Sequence, residues 1–384
     1  MIPRTVWMLG FVSFFMDISS EIVHALLPLF LTSTLGVSVA IVGLIDGVAE
    51  STAAISKVFS GYISDRIGRR KPLILLGYGL GAVSKPFFAL AGSAGVVLGA
   101  RFADRIGKGL RGAPRDALVA DVTPEAVRGR AYGLRQALDT AGAFAGPLIA
   151  IAFMALFAND MRAVFWIAVV PGAIAVLFVI TGVEDRAGPA TAMRIPIRLH
   201  DVRRLPRVFW MIVAAGVVFT LARFSEAFLI LKASAEGLPM MWAPLVLVVM
   251  NVVYSLGAYP AGAAADHMEP RKLLLWGLAA LVAADLVLAL APGLPAAFAG
   301  IALWGAHMAL TQGLLAKLVA DHAPPELRGS AFGLFNLATG LALLLASVTA
   351  GLLWETMGAE ATFAAGAAFA CLAALLLLAT KPRG

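Results

Sequence analysis

Long stretches without charge, each about the length of a bilayer-spanning helix, constrain this chain more than any other feature of its sequence. Its 384 residues are 60% hydrophobic and only 14% charged. Roughly 20 apolar residues cross a bilayer as a helix, whereas irregular backbone cannot face lipid. The apolar runs are too long for barrel strands and do not alternate. The sequence therefore predicts an all-α polytopic membrane protein.

Twelve candidate transmembrane helices follow one another along the chain. The predicted spans are 7–31, 40–64, 72–91, 94–117, 131–156, 162–182, 208–231, 241–265, 272–291, 295–319, 330–353 and 360–380. We expect the first span to be retained rather than cleaved as a signal peptide, because two acids interrupt it and no small-residue cleavage site follows.

Positive charges alternate between the predicted loops. Arg or Lys occurs at both termini and in the turns near 65–72, 121–130, 183–207, 266–272 and 321–329. The turns without charge lie near 32–39, 92–94 and 292–296. Because Arg and Lys are in excess in cytoplasmic loops, both termini are predicted to be cytoplasmic. The net charge of +7 has the same origin, so we expect no nucleic-acid partner and a multi-pass protein of the cell membrane, the inner membrane in bacteria.

The two halves of the chain repeat each other. The recurring segments are Gly61-x-x-x-Asp65 with Gly262-x-x-x-Asp266, Arg128-Gly129 with Arg328-Gly329, Ser20-Glu21 with Ser225-Glu226, and Gly99-Ala100-Arg101 with Gly305-Ala306-His307. The repeat predicts two pseudo-symmetric six-helix bundles, 1–182 and 208–384. A cytoplasmic linker, 183–207, would join them.

The polar turn between the second and third spans carries a specific motif. Its residues are Gly61, Asp65, Arg66, Gly68, Arg69, Arg70 and Lys71. This pattern resembles motif A of the major facilitator superfamily, and the resemblance extends over essentially the whole chain. It implies the major facilitator fold, a transport site near the membrane midplane, and a gating role for the turn.

Span 1 carries ionisable groups at membrane depth. Asp17, Glu21, His24 and Pro28 share one helical stripe. A charge at the bilayer centre costs about 2.5–3.5 kcal/mol on insertion scales, so these groups should face a wet cavity or partners. Buried ion pairs that lock span 1 to another helix are the structural alternative. A divalent-cation site on this stripe is a weaker alternative, since no second ligand cluster is evident.

Span 4 carries a second stripe of charges, which includes Arg101, Asp104, Arg105 and Lys108. Arg105-x-x-Lys108-Gly109 resembles motif B of the superfamily, in which the arginine is linked to proton transfer. The match is partial, because Lys108 replaces the usual glutamine.

Span 5 contains Gly142-x-x-x-Gly146-Pro147, after Arg135 and Asp139. Small residues at this spacing often mark a close helix contact, and the proline predicts a kink. The segment also resembles motif C of the superfamily, which implies an antiporter, although Ile149-Ala150 replaces the usual glycine pair.

Other charged residues are less informative. For Asp46 and Glu50, exposure of the carboxylates at the membrane interface is an adequate explanation. Lys85 is expected to pair with an acid of span 1 or span 2, and Asp285 has no evident partner. In span 7 Arg223 and Glu226, and in span 10 His307, are candidates for the central cavity, which spans 1, 4, 7 and 10 line in the superfamily.

The combined pattern predicts a secondary transporter, specifically a proton-coupled antiporter that exports a small organic solute. Asp17 and Glu21 would load the proton, with Arg105 as the modulating cation, because burial disfavours a charged carboxylate and a neighbouring arginine favours it. The substrate-cavity candidates are His24, Arg101, Asp104, Arg223, Glu226 and His307. The main alternative is an importer or uniporter of a metal ion, a metal chelate or an organic anion. No motif indicates an enzyme, a cofactor or a resident metal, and we expect a monomer that meets substrate, protons and lipid.

Overall fold

The computed structural model of the chain describes residues 2–185, 205–311, 314–323 and 327–379, and every regular element in these ranges is helical. The first half forms α1 (Arg4–Leu29), α2 (Val39–Ile67), α3 (Lys71–Leu90), α4 (Ala94–Val122), α5 (Arg128–Leu156) and α6 (Met161–Gly182). The second half forms α7 (Arg207–Ala222), α8 (Ala227–Ala235), α9 (Leu245–His267), α10 (Pro270–Leu290), α11 (Leu294–Thr311), α12 (Leu314–His322), α13 (Arg328–Met357) and α14 (Ala359–Ala379). The predicted all-helical fold class is confirmed.

The number of spans depends on α4. Eleven stretches of the described chain are long and apolar enough to cross a bilayer, and α4 is not among them. It has 29 residues, which is ample length, but its charges interrupt every apolar window. The twelfth span therefore stays a prediction.

The chain separates by internal contacts into two compact units, Met1–Leu35 with Val48–Pro196 and Gly36–Gly47 with Ile197–Gly384. Within the first unit, α1 packs against α5 and α6, and α3 packs against α4 and α6. Within the second unit, the corresponding pairs are α7 with α13 and α14, and α10 with α11 and α14. The predicted domain limits stay a prediction, and most of the linker 183–207 lies outside the described residues.

Helices α3 and α10 bury their residues in the same register. Gly77 of α3 corresponds to Gly277 of α10, and Lys85 to Asp285, since the buried positions follow the same order in both helices. A Cβ atom on Gly77 would lie 2.6 Å from the carbonyl oxygen of Gly107, and one on Gly277 would lie 3.6 Å from that of His307. His307 therefore corresponds to Gly107.

This register corrects the sequence alignment of His307 with Arg101. The position that corresponds to Arg101 is Ile301, which is buried like Arg101. The alignment of Gly-Ala-Arg with Gly-Ala-His was wrong because a three-residue match is too short to determine the register of a helix pair. The matching neighbours determine it instead, since Gly77 lies against Gly107 and Arg111, and Gly277 lies against His307 and Thr311.

The motif A turn is tied to the end of α6 by Asp185. The Asp185 Oδ2 atom accepts hydrogen bonds of 2.9 Å from the backbone N–H groups of Arg70 and Lys71, where α3 begins. The Arg70 side chain donates to Ser64 Oγ at 2.8 Å and to Asp121 Oδ2 at 3.3 Å. A carboxylate at a helix N-terminus satisfies free N–H groups and complements the helix dipole.

We expect Asp185→Ala to lower the free energy of unfolding by about 1 kcal/mol, the usual cost of a lost N-terminal cap. Asp185→Asn should lose less, because its amide oxygen can still accept one of the two bonds. Both losses in free energy are measured by unfolding the variants in detergent and following their helix content by circular dichroism. Glu184→Ala is the matched control, since the Glu184 side chain is exposed. Equal effects at 184 and 185 would contradict the capping role.

A second carboxylate ties two loops of the second unit together. Glu236 accepts hydrogen bonds of 2.6 Å from the Lys232 ammonium group and 2.6 Å from the backbone N–H of Gly293. The hydrogen bond from Lys232 does most to hold the pKa of the Glu236 carboxyl below its usual value, and the hydrogen bond from Gly293 lowers this pKa further. Glu236 thus connects the end of α8 to the turn between α10 and α11.

Candidate functional site

The predicted stripe of α1 lies on one partly exposed face of the first unit. Asp17, Glu21 and His24 are each partly exposed, whereas Ile18 and Ile22 between them are buried. The Glu21 Oε2 and His24 Nδ1 atoms are 3.4 Å apart, close enough for a weak ion pair when the histidine is protonated. The structure therefore brings these three residues together, as the helical spacing predicted.

The glycines of the predicted motif C place α5 directly against this stripe. A Cβ atom on Gly142 would collide with the Phe14 carbonyl oxygen and lie 3.1 Å from the Asp17 Cβ atom. A Cβ atom on Gly146 would lie 2.7 Å from the Glu21 Cβ atom. The Gly-x-x-x-Gly spacing thus allows α5 to approach α1 at the two acids that the sequence singled out.

Asp104 lies at the centre of a buried charge network in the first unit. It is 1% exposed, and its Oδ1 atom accepts from Lys85 Nζ at 2.8 Å. Its Oδ2 atom accepts from Arg105 at 2.7 Å, and Lys85 also donates to Ser20 Oγ at 3.1 Å. The prediction that Lys85 pairs with an acid of span 1 or span 2 is wrong. Its partner comes from α4, since α3 and α4 pack side by side.

Glu50 extends the same network from α2. Its Oε1 atom lies 3.1 Å from Arg105 and 3.5 Å from Arg101. Asp46, one turn earlier, is 3% exposed and accepts a 2.7 Å hydrogen bond from Ser225 Oγ. The interface explanation for both acids is therefore wrong. Each carboxylate has a protein partner, two arginines of α4 for Glu50 and the Ser225 hydroxyl for Asp46.

The predicted seventh span is broken at the candidate residues Arg223 and Glu226. α7 ends at Ala222 and α8 begins at Ala227, although the intervening residues include neither proline nor glycine. Ser225 Oγ accepts a 3.1 Å hydrogen bond from the backbone N–H of Ala227 and donates to Asp46. The span predicted over 208–231 is confirmed as one membrane-length stretch, Arg207–Ala235. The break inside it was not predicted, because serine can satisfy a helix N-terminus without a helix breaker.

His307 is fully buried on α11, away from any surface. Its Nδ1 atom donates a 2.8 Å hydrogen bond to the carbonyl oxygen of Gly277, and its ring lies 5.4 Å from that of Phe219. This geometry is that of a packing histidine between α10 and α11. The structure does not place His307 on an exposed face with Arg223 or Glu226, both of which are partly exposed.

Asp285 occupies the place in α10 that Lys85 occupies in α3. It is fully buried, and among the described residues neither of its carboxyl oxygens has a hydrogen-bond partner. At the position of α11 that corresponds to Asp104 of α4, the second unit has Trp304. At these two positions the second unit therefore has no counterpart of the ion pair between Lys85 and Asp104.

The two remaining predictions concern the gating contact of Asp65 and a site for a metal ion. The side chain of Asp65 lies outside the described residues, so its proposed gating contact stays a prediction. Among the side chains that are described, no group of three or more His, Cys, Asp and Glu could hold a metal ion.

The sequence model of the Major Facilitator Superfamily matches residues 9–251 and 237–384. A relative from Methanocaldococcus jannaschii, the uncharacterised MFS-type transporter MJ1317, is 31% identical over 384 residues, which cover 98% of this chain and 95% of that protein. The multidrug resistance protein MdtH of Edwardsiella ictaluri is 32% identical over 145 residues, 38% of this chain and 35% of MdtH.

Solved structures share the fold over nearly the full length. The nucleoside transporter NupG superimposes with a TM-score of 0.83 at 14% identity, covering 98% of this chain and 99% of NupG. A D-xylose-proton symporter gives a TM-score of 0.77 at 18% identity, covering 99% and 97%. At these identities the likeness concerns the fold alone. With the family match over nearly the whole chain, it follows that this protein belongs to the Major Facilitator Superfamily and is a membrane transporter rather than an enzyme.

Proposed function

We propose that the protein is a proton-coupled antiporter that exports a small organic solute through twelve spans by alternating access. One observation carries the proposal: the glycines of α5 pack against Asp17 and Glu21, two acids that remain partly exposed. By contrast, Asp104 and Glu50 are held by cations of α3 and α4. The partial similarity to a multidrug resistance protein also favours export.

The charge state of the α1 acids would drive the cycle. A carboxylate in the membrane can gain or lose a proton at modest cost when cations lie near it. Glu21 has His24 one turn away, which can share the change in charge. Arg105 is bound to both Asp104 and Glu50, so it would act on Glu21 through its field rather than by direct contact.

The partly exposed candidates are the proposed substrate contacts. They are His24 in the first unit and Arg223 and Glu226 in the second. Broken helices at membrane depth are tolerated where they line a cavity. This supports Arg223 and Glu226, which lie in the gap between α7 and α8, as substrate contacts. Arg101, Asp104 and His307 are buried, so we propose that they support the cavity walls.

We expect Glu21→Gln to abolish accumulation driven by a pH gradient while it preserves downhill exchange, because glutamine keeps the shape but cannot titrate. The experiment is uptake of a panel of organic cations and neutral drugs into proteoliposomes, with and without an imposed gradient. For the variant, uptake with the gradient should fall to the level seen without it.

Glu125→Gln is the control, because Glu125 is an exposed acid in the turn before α5. Full gradient-driven uptake by Glu21→Gln would move the proton role to another acid. If no compound responds to the gradient in the unmodified protein, the antiporter proposal fails, and the importer or uniporter alternative replaces it.

We also propose that both termini lie in the cytoplasm of a bacterial cell, with the protein acting as a monomer in the inner membrane. The alternation of Arg and Lys between loops supports this orientation. Reporter fusions after Gly188 and after Val39 should report opposite sides of the membrane. A report of the same side from both fusions would contradict the topology.

A further inference from the structure

Asp285 of α10 is a buried acid that has no role in the proposed proton coupling. It is 0% exposed, and among the described residues neither of its carboxyl oxygens has a hydrogen-bond partner. The two helices that pack closely against α10, which are α11 and α14, contain no Lys or Arg. His307 of α11 contacts Gly277, eight residues before Asp285 and so about 12 Å away along the helix. These two helices therefore supply no cation for the acid.

The first unit shows what a complete pair at this position contains. Lys85, which corresponds to Asp285, is 1% exposed, and its ammonium group donates to Asp104 at 2.8 Å. The Lys85 Nζ atom also lies 5.9 Å from the centre of the Phe88 ring, within the range of a cation–π contact. One carboxylate and one aromatic ring thus hold a buried ammonium group. The second unit has the carboxylate at Asp285, but Trp304 at the position of its partner carries no charge.

Aromatic rings lie beside Asp285. A Cβ atom on Gly366 would lie 2.6 Å from the Asp285 Oδ2 atom and 3.0 Å from the Phe224 Cε1 atom, so the carboxyl group and the ring meet where α14 lacks a side chain. The centre of the Phe224 ring is 5.4 Å from that of Trp304 and 5.5 Å from that of Phe363. The acid therefore borders an aromatic cluster, and the faces of such rings attract cations.

A small cavity adjoins the same cluster. It has a volume of about 30 Å³, and Phe224 and Gly366 are part of its wall. A water molecule needs roughly 10–15 Å³ of such space, so a group of that size fits. Other parts of the wall are apolar, among them Leu221, Leu353 and Phe369, which suits an alkyl chain. Phe224 lies in the break between α7 and α8, so its ring can turn without distorting a helix.

We propose that Asp285 and the rings of Phe224 and Trp304 bind the primary ammonium group of an organic cation. The inference rests on the proposed export of a small organic solute and names the chemical class of that solute. The ammonium group would take the place that the Lys85 ammonium group has in the first unit, and the alkyl chain would lie in the cavity. Such a cation supplies the counter-charge without which a buried carboxylate is costly.

The test is direct binding of radiolabelled n-hexylammonium to the purified full-length protein in detergent, measured by equilibrium dialysis at neutral pH. Partition of the probe into micelles does not saturate and is the same for every variant, so it is subtracted. In the unmodified protein we expect saturable binding of the probe. n-Hexyltrimethylammonium should show no saturable binding, because its head group is larger than water and donates no hydrogen bond.

Asp285→Asn keeps the shape of the side chain but removes its charge. We expect its affinity for n-hexylammonium to fall about 10- to 100-fold, the effect of losing a hydrogen bond to a charged group. Phe224→Leu should weaken binding about two- to fivefold, because it removes one aromatic face. Glu360→Gln is the control, since Glu360 is an exposed acid at the start of α14 and should leave the affinity unchanged.

Thermal unfolding separates loss of binding from loss of the fold. The probe should raise the unfolding temperature of the unmodified protein and of Glu360→Gln, because a ligand that binds only the folded state stabilises it. It should not raise that of Asp285→Asn. If Asp285→Asn does not fold, Phe224→Leu and the comparison of the two probes decide. Equal affinity in Phe224→Leu, together with equal binding of both probes, would then contradict the site.

Binding of n-hexylammonium that is equal in Asp285→Asn and in the unmodified protein would overturn the site, and so would the absence of saturable binding to the unmodified protein. Both outcomes are distinct from failure of the proposed function, because dialysis uses no gradient. If the probe binds through Asp285 but no compound accumulates under a gradient, the site stands and antiport fails. If compounds accumulate and the affinity does not depend on Asp285, antiport stands and the ammonium site fails.

Discussion

Asp104→Asn is expected to lower the free energy of unfolding by about 3–5 kcal/mol, the usual cost of breaking a buried ion pair on one side. Asp104 is 1% exposed and accepts from both Lys85 and Arg105. Lys85 is itself 1% exposed, and its remaining partner is the hydroxyl of Ser20. The substitution would leave this ammonium group buried without a counter-charge. Denaturant titration in mixed micelles, followed by helical circular dichroism, measures the loss.

Two further variants test the physical reason. Asp116→Asn removes an acid that is 41% exposed from its contact with Arg115, so we expect a loss of at most about 1 kcal/mol. The double variant Lys85→Met/Asp104→Leu should recover most of the loss, because apolar side chains of similar volume avoid the desolvation of both ions. A loss below about 1 kcal/mol for Asp104→Asn would show that water reaches the network.

Gly142→Ala is expected to destabilise the contact between α1 and α5 by about 1–3 kcal/mol, as overpacking generally does. The new methyl group would meet the Phe14 carbonyl oxygen and would lie 3.0 Å from the Phe14 Cα atom. These are backbone atoms, which cannot move aside as a flexible side chain can. The two helices would have to separate, and the acids of α1 would shift with them. We therefore expect loss of gradient-driven transport together with a lower unfolding temperature.

Gly133→Ala is the matched control on the same helix. Gly133 is exposed, and a Cβ atom there would meet no atom within 4 Å. We expect this variant to be as stable as the unmodified protein or more stable by up to about 1 kcal/mol, since alanine is the better helix former. Equal behaviour of the two variants would mean that α5 does not pack against α1 at Gly142.

The sequence predicted the features that depend on local composition and spacing. Apolar length determined that the chain forms membrane helices, because unsatisfied backbone groups are too costly in lipid. Helical spacing placed Asp17, Glu21 and His24 on one face, and the structure has them there. The glycines at 142 and 146 predicted a close helix contact, which is found against α1. These conclusions need no knowledge of which helix lies beside which.

The pairing of distant helices was decided only by the tertiary structure. Periodicity shows which face of a helix is polar, but not which helix covers that face. Lys85 therefore received the wrong partner, and Asp46 and Glu50 were assigned to the membrane interface. The same limit applies to the break before α8, where Ser225 and Asp46, far apart in sequence, satisfy each other. A buried charge is costly wherever it lies, but only packing determines which group compensates it.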